Sequence, residues 1–207
     1  MINGLFVFMS ESVVSSVPCP SLRSLHEILP QEPLLMMGAG PVPIPDRVAK
    51  ANSVVINHLG ETMSQVIDQV KSMTRYVFQT NSKWVLGVAG PGSAAMEMAA
   101  ANLVEPNDRV LSISNGFFSN RMAQMAARVG GIVTVVVTPA EESADPDWVK
   151  AHIEKVRPKI ITMVQGETSN TVYNIYLKEI GQLAKEYDCL LVVDAVCTLS
   201  TMPLKMD

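Results

Sequence analysis

Cys189-Leu-Leu-Val-Val-Asp194 is a short, unbroken apolar run closed by a carboxylate. A strand without polar alternation has both of its faces covered, and such strands belong to parallel sheets flanked by helices on either side. Working outward, runs of the same kind recur at 83–89, 109–114, 132–138 and 159–165, rich in Val, Ile and Leu and bounded by Gly, Asn or Pro. Stretches with helical spacing lie between them at 93–103, 119–129, 147–156 and 178–187. Asp145-Pro146 supplies a cap and a first-turn proline for the third, and Gly130-Gly131 stops the second. The repeated strand–helix–strand order predicts an α/β fold on a mostly parallel sheet.

Ahead of that sheet, 45–57 and 61–79 read as helices. In the second, Val66, Ile67, Val70, Met73 and Val77 form one apolar stripe, expected to face a core. Gly38-Ala-Gly-Pro-Val-Pro-Ile-Pro45 is the one linker-like stretch and leads the chain into the fold. Residues 1–33 read as a weakly ordered leader, 34–82 as an N-terminal segment with helices, and 83–207 as the principal domain. Leu5-Phe-Val-Phe-Met9 is too short for a signal-peptide core and has no Lys or Arg before it.

Composition narrows the function. Of 207 residues, 48% are hydrophobic, which argues for a large buried core rather than disorder. Thirteen Met against five Phe and two Trp point to a core filled by flexible side chains. A net charge of −4 leaves no basic footprint for nucleic acid or an anionic membrane. Cys19, Cys189 and Cys197 form no CxxC and leave one unpaired in any disulfide scheme, so reduced thiols in the cytoplasm are expected. No apolar run approaches the roughly 20 residues that span a bilayer. His58 reads as a loop or helix-cap residue, His26 and His152 as surface residues, and no spacing suggests a metal site.

Open parallel sheets bind ligands beyond the carboxyl ends of their strands. The first run is followed by Gly90-Pro91-Gly92-Ser93, the second by Asn115-Gly116-Phe117-Phe118, and the fourth by Gly166-Glu167-Thr168-Ser169-Asn170, while the fifth ends in Asp194. Only the third, followed by Pro139, lacks such groups. Gly92-Ser93 at a helix start offers N–H groups, a hydroxyl and the positive end of the helix dipole, which together suit a phosphate. The plain alternative is a strand-to-helix turn with Ser93 as N-cap. Pro91 has no N–H, so a cradle here draws on Gly92, Ser93 and Ala94.

Gly90-x-Gly92-x-x-Ala95 also satisfies a dinucleotide fingerprint, making an NAD(P)-binding domain the competing reading. That reading asks for an acidic residue closing the next strand, where Ser114-Asn115 stands instead; Glu105 and Asp108 precede the strand. Asp194 either caps whatever follows its strand or holds a proton on a heterocyclic nitrogen, making the ring an electron sink. A carboxylate closing a buried strand needs a positive partner to offset desolvation. Phe117 or Phe118 offers a flat wall for a ring, and Thr168 and Ser169 offer donors to a phenolic oxygen.

Several landmarks then occur in one order: Gly40-Pro-Val-Pro43, Arg75-Tyr-Val-Phe-Gln-Thr80, Gly90-Pro-Gly-Ser93 with Glu97, Val104-Glu-Pro-Asn-Asp108 and Asn115-Gly116. They continue with Gly166-Glu-Thr-Ser169, Leu191-Val-Val-Asp-Ala195 and Met202-Pro-Leu-Lys-Met-Asp207. As a set, from about Leu34 onward, they resemble the class V pyridoxal-phosphate aminotransferases of the alanine–glyoxylate and serine–pyruvate group. The resemblance implies the large domain of the PLP-dependent transferase fold (fold type I), truncated before the catalytic lysine and the small C-terminal domain. It implies pyridoxal 5'-phosphate as cofactor, amino acid and 2-oxo acid substrates, and a homodimer when full length. The reaction implied moves an amino group from alanine or serine to glyoxylate or pyruvate.

Carried onto this sequence, the resemblance places Gly92 and Ser93 on the cofactor phosphate. Phe118 would stack on the ring, Thr168 would bond its phenolic oxygen, Asp194 would pair with its nitrogen, Val196 would press its opposite face, and Gly38 would lie near the substrate carboxylate. Asn170-Thr171 stands where relatives usually show Thr-Gly. The family's Schiff-base lysine falls beyond Asp207; Lys205, the only lysine after Asp194, matches a non-catalytic position, so this chain alone is expected to be inactive. A class V lyase or desulfurase on the same scaffold, or a catalytically inactive fragment of the fold, are the remaining alternatives.

Overall fold

The computed structural model describes residues 21–32, 34–36, 40–139 and 141–207. The chain divides into two units, one ending at Ala51 and one spanning Asn52–Asp207. The first contains the short helix α1 (Leu25–Ile28), whose N-cap Ser24 accepts from the His26 N–H, and most of α2 (Asp46–Asn52). Helix α2 is shorter than the 45–57 expected. Val54, Val55 and Ile56 follow it, and a run of β-branched side chains loses χ1 freedom against a preceding helical turn.

The second unit runs α3 (Glu61–Phe78), α4 (Gly92–Leu103), β1 (Arg109–Ser114), α5 (Phe117–Arg128), β2 (Ile132–Val137), α6 (Pro146–Val156) and β3 (Ile160–Val164). A small hairpin of β4 (Gly166–Glu167) and β5 (Val172–Tyr173) follows, then α7 (Leu177–Glu186) and β6 (Leu190–Asp194). The main sheet has the order β2-β1-β3-β6 with every neighbouring pair parallel. Val110 stands opposite both Val133 and Ile160, and Ile160 opposite Leu190. From β1 the chain first adds β2 on one side and later β3 on the other. That reversal opens a crevice at the carboxyl ends of β1 and β3, where doubly wound sheets hold their ligands.

The period-2 alternation of each strand divides the core into two layers. Leu111, Ile113, Ile161 and Met163 pack with Val149 and Ile153 of α6 and Ile180 and Ala184 of α7. On the opposite face Val110, Ile160 and Val164 meet Val104 and residues of α4 and α5, among them Met96, Met122, Met125 and Ala126. Four of the thirteen methionines therefore fill this core, as the composition suggested. A fully buried Leu or Ile contributes about 1.5–3 kcal/mol. These layers, more than helix propensity, hold the helices in place.

Two expectations fail. Residues 83–89 form no strand: no neighbour among the described residues supplies a ladder, and Trp84 and Leu86 are each 73% exposed. Apolar composition makes a segment fit to be a strand, but hydrogen-bonded pairing makes it one. Helix α3 forms almost as expected, yet its apolar stripe faces no core, and none of its residues is buried. Periodicity specifies an apolar face; it does not say which neighbour covers it.

The hairpin was not anticipated from the sequence, and it carries the residue that joins the two sides of the crevice. Glu167 is fully buried. Its Oε1 accepts from the Phe118 N–H at 3.1 Å and from the Ser169 hydroxyl at 2.7 Å, and its Oε2 accepts from the Ser119 N–H and hydroxyl at 2.9 Å each. One carboxylate thus satisfies first-turn N–H groups of α5 from across the crevice. Gly116 is required by this approach, since a Cβ there would collide with the Glu167 side chain and with Ser169 Oγ. Beside it, Asn174 Oδ1 accepts from Asn115 Nδ2 and from the Ala144 N–H, while its Nδ2 donates to Val164 O.

Burial pushes the Glu167 carboxyl up, but the hydrogen bonds from Ser169, from the N–H groups of Ser119 and Phe118, and from the Ser119 hydroxyl outweigh it and bring it below the ordinary glutamate range. A depressed carboxylate contributes stability above its unfolded pKa of about 4.3, lost as pH falls through the lower folded value. Glu167→Gln should therefore lower stability at neutral pH by about 1–3 kcal/mol, because an amide NH2 must face N–H donors. The difference in melting temperature between variant and parent should shrink as pH is taken below 4; a difference that holds constant down to pH 2 would refute the role of the charge.

Thr171, in the hairpin turn, adopts φ 62°, a left-handed conformation that a β-branched residue rarely takes. Thr171→Gly should raise stability by about 1 kcal/mol, read from urea unfolding at unchanged m-value. Equal or lower stability would show that the turn holds no strain.

Candidate active site

The polar rim converges at the carboxyl ends of β1, β3 and β6. Asp194 is the last residue of β6, opposite Val164 of β3, and its carbonyl accepts from the Gln165 N–H at 2.8 Å. It is partly rather than fully buried. Its Oδ1 accepts from the Val196 N–H at 2.9 Å, so it does cap the turn that follows its strand. Among the described residues Oδ2 takes no hydrogen bond and no cation pairs with the carboxylate. Capping therefore engages one oxygen and leaves the other available to a ligand.

Past Asp194 the chain is pinned back onto the residues that follow β3. Thr198 Oγ1 donates to Gln165 Oε1 at 2.7 Å, Gln165 Nε2 donates to Pro203 O at 3.0 Å, and the Cys197 thiol donates to Gly166 O. The end of the chain turns to the close of α3, where Asp207 accepts from the Thr80 hydroxyl and the Asn81 N–H. Those bonds, that from Thr80 first, hold the Asp207 carboxyl below its ordinary range. Lys205 stands exposed just before it.

The start of α4 lies against this strand end: a Cβ built on Gly92 would meet Val196 Cγ2 at 3.6 Å. Pro91 occupies the N-cap with no side-chain cap bond, and the first turn holds no acidic residue. Ser93 is therefore inside the helix and does not cap it. The Ala94 N–H bonds Pro91 O at 2.8 Å, so the cradle expected from Gly92, Ser93 and Ala94 reduces to the first two N–H groups and the Ser93 hydroxyl. That hydroxyl accepts from Arg121 Nη1 at 2.9 Å, a contact between residues 28 apart that no local spacing indicated.

Phe118 packs on the cluster of Met96, Met122, Met125 and Val164 while staying partly exposed. Phe117 meets it edge-on, 5.2 Å between centroids, and is 59% exposed. Both backbone N–H groups are held by the hairpin, Phe117 by Ser169 Oγ and Phe118 by Glu167. Thr168 follows Glu167 directly, partly exposed, with no hydrogen bond to its hydroxyl among the described residues. Ser169, the other donor considered, is engaged by Glu167 and Phe117. Asn170 Oδ1 accepts from the Val172 N–H and so shapes the turn. Val196 is 68% exposed beside Gly92. Gly38 lies outside the described residues, as does Cys19.

The dinucleotide reading loses its frame. Its Gly90-x-Gly92-x-x-Ala95 pattern follows no strand, and β1 closes in Ser114 without an acidic residue. Sequence reasoning missed Glu167, Asn174 and Arg121, which act through partners distant along the chain. Among the described residues no helix is long and apolar enough to cross a membrane, and no group of three or more His, Cys, Asp or Glu could hold a metal ion.

Comparison with known proteins agrees with this architecture. The family model described as Aminotransferase class-V matches residues 46–207. Alanine–glyoxylate aminotransferase of Mus musculus is 35% identical over 192 residues, covering 92% of this chain and 46% of its own length. Among solved structures, alanine–glyoxylate aminotransferase from Nostoc sp. superposes with a TM-score of 0.79 at 34% identity, covering 89% of this chain and 50% of that one. Ureidoglycine–glyoxylate aminotransferase from Bacillus subtilis gives 0.82 at 32% identity, covering 86% and 46%. The chain thus spans about half the length of the relatives it matches. With the family match running from α2 through the strand that ends in Asp194, this chain belongs to the class-V aminotransferase family.

Proposed function

We propose that the chain carries the cofactor-holding part of a pyridoxal-phosphate-dependent transaminase that moves an amino group from alanine or serine to glyoxylate or pyruvate. The observation that carries this reading is the approach of Gly92 to Val196. It sets an uncapped helix start beside the strand end that bears Asp194, a site for a phosphate next to a site for a cationic ring nitrogen. The names of the mouse, Nostoc and B. subtilis relatives all specify glyoxylate, which supports a 2-oxo acid of that size as acceptor.

The residues present fit such a cofactor. Gly92 has no positive φ, and a Cβ there would make only an ordinary contact with Val196, so protein packing alone does not ask for glycine. A phosphate drawn close to the first turn of α4 does ask for it. The Asp194 oxygen and the Thr168 hydroxyl that have no partner among the described residues supply the acceptor and donor that the two polar edges of the ring need.

When bound, pyridoxal phosphate supplies an electron sink for a carbanion at the substrate α-carbon. In this reading the Gly92 and Ser93 N–H groups and the Ser93 hydroxyl hold the phosphate. Asp194 keeps a proton on the ring nitrogen, and Thr168 donates to the phenolic oxygen. Phe118 covers one ring face and Val196 the other; because Asp194 Oδ1 also holds the Val196 N–H, the carboxylate that meets the nitrogen sets that second wall as well. The reading includes 83–207 as the cofactor-binding part, 34–82 as the segment leading into it, 1–33 as a leader, a homodimer, and a cytoplasmic setting.

In the full-length protein, Asp194→Ala should lower kcat by several orders of magnitude, since it removes stabilisation present only in the transition state. Ser93→Ala should instead act mainly on cofactor affinity, by about 1.5–3 kcal/mol for a hydrogen bond to a charged group. Both are read from steady-state kinetics and cofactor titration with alanine and glyoxylate. Tight NAD binding without pyridoxal-phosphate affinity would overturn the proposal.

A further inference from the structure

The proposed phosphate site has a charge deficit. A helix N-terminus contributes about half an elementary positive charge, and a phosphate monoester carries between one and two negative charges at neutral pH. Pro91 has no N–H, the Ala94 N–H is engaged by Pro91 O, and no basic residue lies in the first turn of α4. A cation from another element is needed for the balance.

Arg121, on α5, stands in the right place. Its Nη1 donates to Ser93 Oγ at 2.9 Å, and its guanidinium lies over the Phe117 ring, 5.3 Å from the centroid. The side chain is partly buried, and among the described residues no carboxylate pairs with it. A guanidinium drawn partly out of water against a hydroxyl and an aromatic face keeps most of its five donors for something else. The cleft beside it, about 200 Å³, is lined by Phe117, Asn120, Arg121, Gln124, Met125 and Arg128, with two guanidiniums and no carboxylate.

The Ser93 hydroxyl makes the link chemical. It has one proton to donate and two lone pairs, and Arg121 takes one lone pair. Its own proton then remains for an acceptor other than Arg121. We infer that Arg121 is a further phosphate-binding residue of this site, neutralising the phosphate with its own charge and fixing Ser93 as a donor. The inference rests on the transaminase reading and deepens it. It adds a cation from α5 to a cradle that the sequence assigned to α4 alone.

The test compares pyridoxal phosphate, pyridoxal and inorganic phosphate as titrants of the full-length protein by calorimetry, for the parent, Arg121→Gln and Arg121→Lys, with thermal melting as a check on folding. Arg121→Gln should weaken pyridoxal phosphate and inorganic phosphate by about ten-fold or more and leave pyridoxal unchanged. The salt dependence of pyridoxal-phosphate binding should lessen in the same variant. Arg121→Lys should fall between, because a point charge remains where a planar fork is lost. If the Gln variant does not fold, the ratio of pyridoxal-phosphate to pyridoxal affinity in the Lys variant decides alone. An equal loss for pyridoxal phosphate and pyridoxal, or no loss for either of these two, overturns the inference and leaves Arg121 as a strut between α5 and α4. A parent protein that binds pyridoxal phosphate at neither low nor high salt overturns the transaminase reading itself, and the inference with it.

Discussion

The buried carboxylate of Glu167 is the contact on which the rim of the sheet depends. The strands β1 and β3 lie side by side, but beyond their ends the chain departs in two directions, into α5 and into the hairpin. Left to themselves, these would leave first-turn N–H groups of a helix facing an irregular loop in a crevice. Glu167 meets Phe118, Ser119 and Ser169 with its two oxygens and closes that gap. Since the carboxylate is acceptor-only and every group around it is a donor, desolvation is offset by direct bonds rather than by a counter-ion. Gly116 is the steric condition for this closure.

Two residues proposed to face one ligand are thereby coupled. Phe118 receives its backbone position from the Glu167 side chain, and Thr168 follows Glu167 in the chain. The wall and the donor cannot shift independently. The strut through Asn115, Asn174, Ala144 and Val164 fixes the same region from the side of β3. At the far end of the site, charge is distributed by element: the start of α4 with Arg121 is positive, and the end of β6 is negative. A ligand with an anionic tail and a protonated ring nitrogen matches that polarity in one orientation only.

The unit also bears apolar surface that it does not cover itself. The stripe on α3 and the 84–88 segment, with Trp84 and Leu86, stand exposed in the described residues, although their pattern is that of buried elements.

Local physics was legible in the sequence. Unbroken apolar runs gave β1, β2, β3 and β6 nearly to the residue, because strands buried on both faces leave no other composition. Asp145-Pro146 and Gly130-Gly131 placed helix boundaries through capping chemistry, which acts over a few residues. The ordered landmarks identified the family, and the polar strand ends pointed to the rim on which Ser93, Phe118, Thr168 and Asp194 lie. Tertiary structure alone decided the rest. Whether 83–89 is a strand and whether α3 faces a core depend on neighbours, and no local pattern carries a neighbour's identity. Glu167 reaching α5 from the hairpin, and Arg121 reaching Ser93 from α5, are contacts between residues 48 and 49 apart in the first case and 28 apart in the second. They exist because the parallel sheet returns each strand to the same edge, a constraint written in the topology and not in any single stretch of sequence.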